Sequence, residues 1–149
     1  MAHHPIVSEA RSWIGTRFAH QGRRKKSAGD HGGVDCLGLL VGVARDLQLQ
    51  DRFGNLLSKS DSLHYSKVPD GNALQQKLAE LLYPISPEGI ALGDVILFRL
   101  DNNPQHLAIV SDYAAMFGII HAYAPSRKVV EHRLDESWQE KMVAAFRLN

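Results

Sequence analysis

Cysteine is almost missing from this chain: among 149 residues there is one, Cys36. A lone thiol forms no intramolecular disulfide and has no partner for a CxxC metal pair, so neither kind of covalent staple holds this fold. Long hydrophobic runs are missing as well. The longest, Leu37 to Ala44, has about half or less of the ~20 residues that span a bilayer. Met1 to Val7 shows no basic stretch followed by an apolar one, so the expectation is cytoplasmic synthesis without a signal peptide and no membrane span. Charge of one sign is not in excess either. With 17 Lys and Arg against 16 Asp and Glu, nothing draws the whole molecule toward nucleic acid or an anionic surface. HExxH, spaced acidic sets, Walker-type loops and dinucleotide glycine patterns are all absent, so neither a metal nor an organic cofactor is expected.

What is present suits one globular domain over residues 1–149. Apolar residues make up 44% and charged residues 22%, enough of both for a packed core under a soluble surface. Ile6, Val7, Ala10, Trp13 and Ile14 recur at helical spacing, with Pro5 suited to a first turn and Gly15 to a stop. Residues 16 to 33 lose that period and collect glycines around Arg23-Arg24-Lys25-Lys26, which reads as a long flexible, solvated loop. Val34 to Leu47 is apolar almost all round and is expected to run through the core as a helix. Residues 48 to 71 read as a loop or lid anchored by Phe53, Leu56, Leu57 and Tyr65, closing on the turn Pro69-Asp70-Gly71. Asn72 then caps a helix through Leu82 that stops before Pro84.

From Gly93 the pattern changes to short runs of β-formers: 94–100, 106–111, 118–123, 128–134 and 142–148, with a helical turn at 135–141. Helices followed by strands predict an α+β domain whose antiparallel sheet packs one face on the helix that begins near Cys36.

Asp35 has the composition of an N-terminal cap, which places Cys36 in or next to a first helical turn. The partial positive charge there favours a thiolate, so the thiol is expected below its reference of about 8.5. Gly32, Gly33 and Gly38 admit a close approach to the sulfur. His106 and His121 fall on neighbouring strands, where one ring can orient the other, the arrangement of nucleophile, base and orienting group found in covalent hydrolases. The remaining histidines carry less: His3 and His4 lie at a terminus expected to fray, His31 lies in a glycine loop, and His64 and His132 have no evident partner.

Four stretches occur in a telling order: Val34-Asp35-Cys36-Leu37-Gly38-Leu39, Gly93 to Phe98, His106 to Val110, and Ile119-Ile120-His121-Ala122. Together they resemble the motifs of the NlpC/P60 cysteine peptidases over most of the chain. His20-Gln21-Gly22-Arg23, Tyr65 with Pro69-Asp70-Gly71, Val130 to Leu134 and Phe146-Arg147-Leu148 resemble the phage and prophage subgroup in particular. The resemblance implies a papain-like α+β fold and hydrolysis of peptidoglycan stem peptides, often between D-glutamate and diaminopimelate. It makes Cys36 the nucleophile, His106 the general base, His121 the orienting third member and the Cys36 N–H an oxyanion donor. Phe18 stands where family members commonly have a tyrosine, and Leu37 where many have serine. His20 or Gln21 is then the replacement donor, and Asp35 the contact for a substrate amine. The implied partners are cell-wall peptide and phage tail proteins, with no nucleic acid, and the implied location is a virion tail or release at lysis. Two other readings share these residues: a non-catalytic tail-assembly module, and an amidase or acyltransferase using the same triad.

Overall fold

The computed structural model of the chain describes residues 4–60, 73–100 and 103–148. His3, His64, Tyr65, the turn Pro69-Asp70-Gly71, the Asn72 cap and the Asp101-Asn102 part of a turn lie outside the described residues. Pro5 occupies the first turn of α1 (Pro5–Arg11), where its missing N–H leaves no bond unmade. Val7 and Ala10 turn inward, and Trp13, just past the helix, is fully buried with its indole N–H donated to Glu9 at 3.0 Å.

Residues 16 to 33 are more ordered than their composition suggests. β1 (Arg23–Arg24) pairs antiparallel with β2 (Gly33–Val34), and Phe18 forms a further bridge to Val34. Strands of two residues are too short to show a period in sequence. The basic run is likewise not simply solvated. Arg23 meets Asp35 at 3.2 Å, Lys25 meets Glu9 at 3.3 Å while lying over the Trp13 ring, and Arg24 pairs with Asp30 at 3.2 Å. Each partner is too distant in sequence, or too short a loop away, to signal itself by local charge pattern.

α2 (Cys36–Leu47) is the expected central helix, buried continuously from Gly38 to Ala44. Gly42 lets the Trp13 segment lie against it, because a Cβ there would stand 2.3 Å from the indole ring. The segment after α2 is partly a packed structure rather than a lid: Leu57 is buried with Leu40 and Leu78, and Asp51 accepts the N–H groups of Phe53 and Asn55 at 2.8 and 3.1 Å. α3 (Ala73–Leu81) follows, and β3 (Tyr83–Ile85) begins at once. The helix stops before Pro84 as expected, and Pro84 itself sits inside a strand. An edge position tolerates it, since a proline lacks a donor only where a neighbour would need one.

The five runs of β-formers become β4 (Val95–Leu100), β5 (Asn103–Tyr113), β6 (Met116–Tyr123), β7 (Lys128–Arg133) and β8 (Met142–Arg147). With β3 they make a six-stranded antiparallel sheet in the order β3-β8-β4-β5-β6-β7. Between β7 and β8, Asp135 caps the short α4 (Glu136–Gln139), which carries Trp138. α1, α2 and α3 cover one face of the sheet through two apolar clusters. The other face has its own cluster around Ile96, Phe98, Val110 and Ile119, closed by Trp138 and Met142, so core forms on both sides rather than one.

Candidate active site

Asp35 is the N-cap of α2: its side chain accepts the Gly38 N–H at 2.8 Å. The same carboxylate accepts the Gln21 N–H at 2.8 Å and the Arg23 guanidinium at 3.2 Å. A carboxylate offers about four acceptor positions, and this one is 5% exposed with at least three of them used inside the chain. Its observed occupation is therefore to brace the loop at Gln21–Arg23 against the helix mouth. Gly38 completes that brace, since a Cβ there would meet the Gly22 carbonyl oxygen at 2.1 Å.

Cys36 is the first residue of the helix and is half-buried, packed beside the apolar cluster of Leu40 and Leu107. Its thiol donates to the Gln105 carbonyl across 3.6 Å, and the Leu107 N–H is directed at the sulfur. The nucleophile candidate therefore lies against β5 on either side of His106. Sheet register makes room for it. The β5–β6 pairs stop at Ile109↔Ile120, although β5 is still paired to β4 at His106 and β6 to β7 at His121. The two strands diverge where the helix mouth meets them.

The imidazoles form a row. His106 Nε2 is 2.6 Å from His121 Nδ1, and His121 Nε2 is 2.8 Å from His132 Nε2. His132 Nδ1 lies 2.9 Å from the Arg133 carbonyl. His121 is fully buried, stacked on Tyr123 with centroids 5.0 Å apart and met edge-on by Trp138 at 5.1 Å. His132 is the member that sequence reasoning passed over. Its position follows from register, because Ile119↔His132 and His121↔Val130 put the two rings diagonally across adjacent strands, and local composition carries no sign of that.

Burial decides the electrostatics. It pushes the Cys36 thiol up to about 12, with the Asp35 carboxylate adding to the rise against the N–H groups of Leu107, Leu37 and Cys36 itself. The expectation of a lowered thiol pKa is thus corrected: a helix terminus stabilises a thiolate, but enclosure beside a carboxylate outweighs it. Burial, and then the neighbouring His132, bring His106 down to about 4; burial and both neighbouring rings bring His121 lower still. The resting site is a neutral thiol near the neutral imidazoles of His106 and His121 rather than an ion pair.

No family model matches the sequence, and no curated protein matches it. Solved structures do. An NlpC/P60 domain of the peptidoglycan hydrolase SagA matches over 96% of each chain with TM-score 0.58 at 21% identity. A Staphylococcus aureus protein described as similar to lipoprotein, NLP/P60 family, matches 96% of this chain at TM-score 0.57 and 22% identity. An N-acetylmuramoyl-L-alanine amidase from Bacteroides uniformis matches 97% of each chain at TM-score 0.57 and 14% identity. The chain has the NlpC/P60 fold. It spans 40% of the length of the S. aureus protein, whose remaining portion has no counterpart in this chain's match.

On this NlpC/P60 frame the other candidate residues fall around the helix mouth. Phe18 packs partly into the core and donates its backbone N–H to the Arg127 carbonyl at 2.8 Å, while Gln21 holds a left-handed backbone (φ 61°) that aims its N–H at Asp35. His20 is exposed next to it. Phe18 also lines an open cleft of about 640 Å³ with Gly15, Arg17, His31, Arg127 and Lys128. Cys36, His106 and His121 do not line that cleft; Phe18 in its wall bridges Val34, two residues before Cys36. His4 is not frayed, since its ring packs on Gly93. Among the described residues, no three His, Cys, Asp or Glu side chains are grouped to hold a metal ion, and no helix is long and apolar enough to cross a membrane.

Proposed function

We propose that this chain is a single-domain cysteine peptidase that hydrolyses amide bonds in bacterial peptidoglycan stem peptides, with the D-glutamyl–diaminopimelate bond as its first target. One observation carries the reading: the only thiol in the chain begins α2 against residues 105–107 of β5, where the imidazole row of His106 and His121 starts. In the reaction His106 takes the Cys36 proton as sulfur attacks the substrate carbonyl. The Cys36 N–H receives the developing oxyanion, and His106 returns the proton to the leaving amine. Water, activated by His106, then clears the thioester. With a neutral resting pair, proton removal accompanies attack instead of preceding it.

Phe18 supplies a wall and no donor, so His20 or Gln21 completes the polar contacts to substrate. Asp35 acts through the loop it braces. The basic lining of the flanking cleft, Arg17, His31, Arg127 and Lys128, suits the free carboxylates of a stem peptide. The resemblance of residues 20–23 and 130–134 to the phage subgroup supports a role in a tail or in release at lysis, beside tail proteins. Purified sacculi digested by the protein and analysed by mass spectrometry test all of this: the expected products are split stem peptides, absent with Cys36→Ala. Products cut at the lactyl–alanine amide would instead assign an amidase activity like that for which the Bacteroides uniformis neighbour is named.

The thiol held on the Gln105 carbonyl and pushed up to about 12 favours a second reading, a non-catalytic tail module. Iodoacetamide labelling separates the two. A stem peptide that changes the Cys36 labelling rate supports the enzyme; a thiol indifferent to peptide, in a protein that leaves sacculi intact, supports the module.

A further inference from the structure

A thiol and two imidazoles suffice for the proposed reaction, yet the fold lines up a third ring. His132 lies half-buried on β7, its Nδ1 against a backbone carbonyl and its Nε2 against His121. A carbonyl oxygen only accepts hydrogen bonds, so the Arg133 carbonyl requires the proton of neutral His132 to sit on Nδ1. Nε2 of His132 is then bare and accepts, which requires the His121 proton on Nε2. Nδ1 of His121 is bare in turn and accepts from His106 Nε2–H. That leaves His106 Nδ1 without a proton. One carbonyl at the far end of the row thereby sets the state of the nitrogen at the other end.

We propose that His132 is a positioning residue: by joining the Arg133 carbonyl to His121 it locks all three rings into the single tautomer set that leaves His106 Nδ1 free to accept the Cys36 proton. The opposite set would place two bare acceptors, His132 Nδ1 and the Arg133 oxygen, 2.9 Å apart. It would also put a proton on His106 Nδ1 and remove the base. Ring packing supports the same assignment, because His106, His121 and His132 all contact Trp138, with centroids 5.1 to 6.0 Å away, which limits their freedom to flip. The catalytic half of this inference rests on the peptidase reading of Cys36 and His106; the tautomer half does not.

The test therefore begins without substrate. Nitrogen-15 NMR of the imidazoles in the resting full chain at neutral pH is expected to show His132 protonated on Nδ1 and both His121 and His106 protonated on Nε2. A wild-type His132 carrying its proton on Nε2 overturns the lock, whatever the activity. His132→Phe keeps a ring and removes the acceptor, so His121 and His106 are expected to show mixed tautomers. Turnover should then fall about tenfold with KM nearly unchanged, between the twofold of an even mixture and the roughly 10⁴-fold of an enforced wrong tautomer. His132→Glu restores an obligate acceptor and is expected to recover the single tautomer set and most of kcat. Unmixed tautomers in a folded His132→Phe also overturn the proposal. A correct tautomer set in a protein that never cuts sacculi leaves the lock standing and removes the peptidase reading alone.

Discussion

The two faces of the sheet from β4 to β7 do different work with the same alternation of side chains. On the α2 side, Leu97, Leu107, Ile109 and Ile120 meet Leu39, Leu40 and Val43 in apolar contact that has no preferred direction. On the other side, Ile96, Phe98 and Val110 share their face with His106, His121 and His132 beneath Trp138, and there each nitrogen depends on the next. The first face holds the helix and so delivers Cys36. The second holds the imidazole row. They meet where β5 and β6 part; on the proposed function, Cys36 from one side and His106 from the other serve one carbonyl there.

On the proposed function, substitutions on the two faces separate stability from chemistry. The largest effect is expected from His106→Ala, a loss on the order of 10³-fold in sacculus digestion with the thermal transition retained; equal loss of folding would break the division. On the helix face, Gly42→Ala drives a Cβ into Trp13 and should cost about 2 kcal/mol in urea unfolding, with kcat unchanged.

Acid probes the histidine face through stability. His106 at about 4 when folded and about 6.5 when unfolded binds its proton more readily in the unfolded chain, so its contribution is present above pH 6.5 and is lost as pH falls toward 4. From pH 7 to pH 5 this group alone should lower stability by about 2 kcal/mol, with His121 acting in the same direction. Urea titrations at both pH values check it, and His106→Gln should reduce the difference.

A smaller change sharpens the account of the helix mouth. Asp35→Asn keeps a capping side chain but removes the charge that helps raise the Cys36 thiol. Iodoacetamide should then react faster at pH 8, and an unchanged rate would leave burial as the sole cause. Arg24→Ala, which removes an ion pair whose arginine is 73% exposed, should change stability by less than about 0.5 kcal/mol.

Much of this is legible in the sequence alone. Helical spacing located α1, α2 and α3 to within a few residues, and the runs of β-formers located β4 to β8, because each buries a face long enough to leave a period. β1, β2 and β3 left none, being two or three residues long and held by partners elsewhere. Asp35 as a cap was readable from its place before the apolar run. Its further hold on Gln21 and Arg23 was not, since that depends on how a loop folds back.

The sequence by itself determined the α+β order, the single thiol at a helix start and the presence of histidines on later strands, because these follow from local periodicity and residue chemistry. Only the tertiary structure decided that burial would keep the thiol neutral, that β5 and β6 would part beside it, and that His132 would join the row. The physical reason is that desolvation depends on everything packed around a group, and contact across strands depends on register, neither of which is a property of any one stretch of chain.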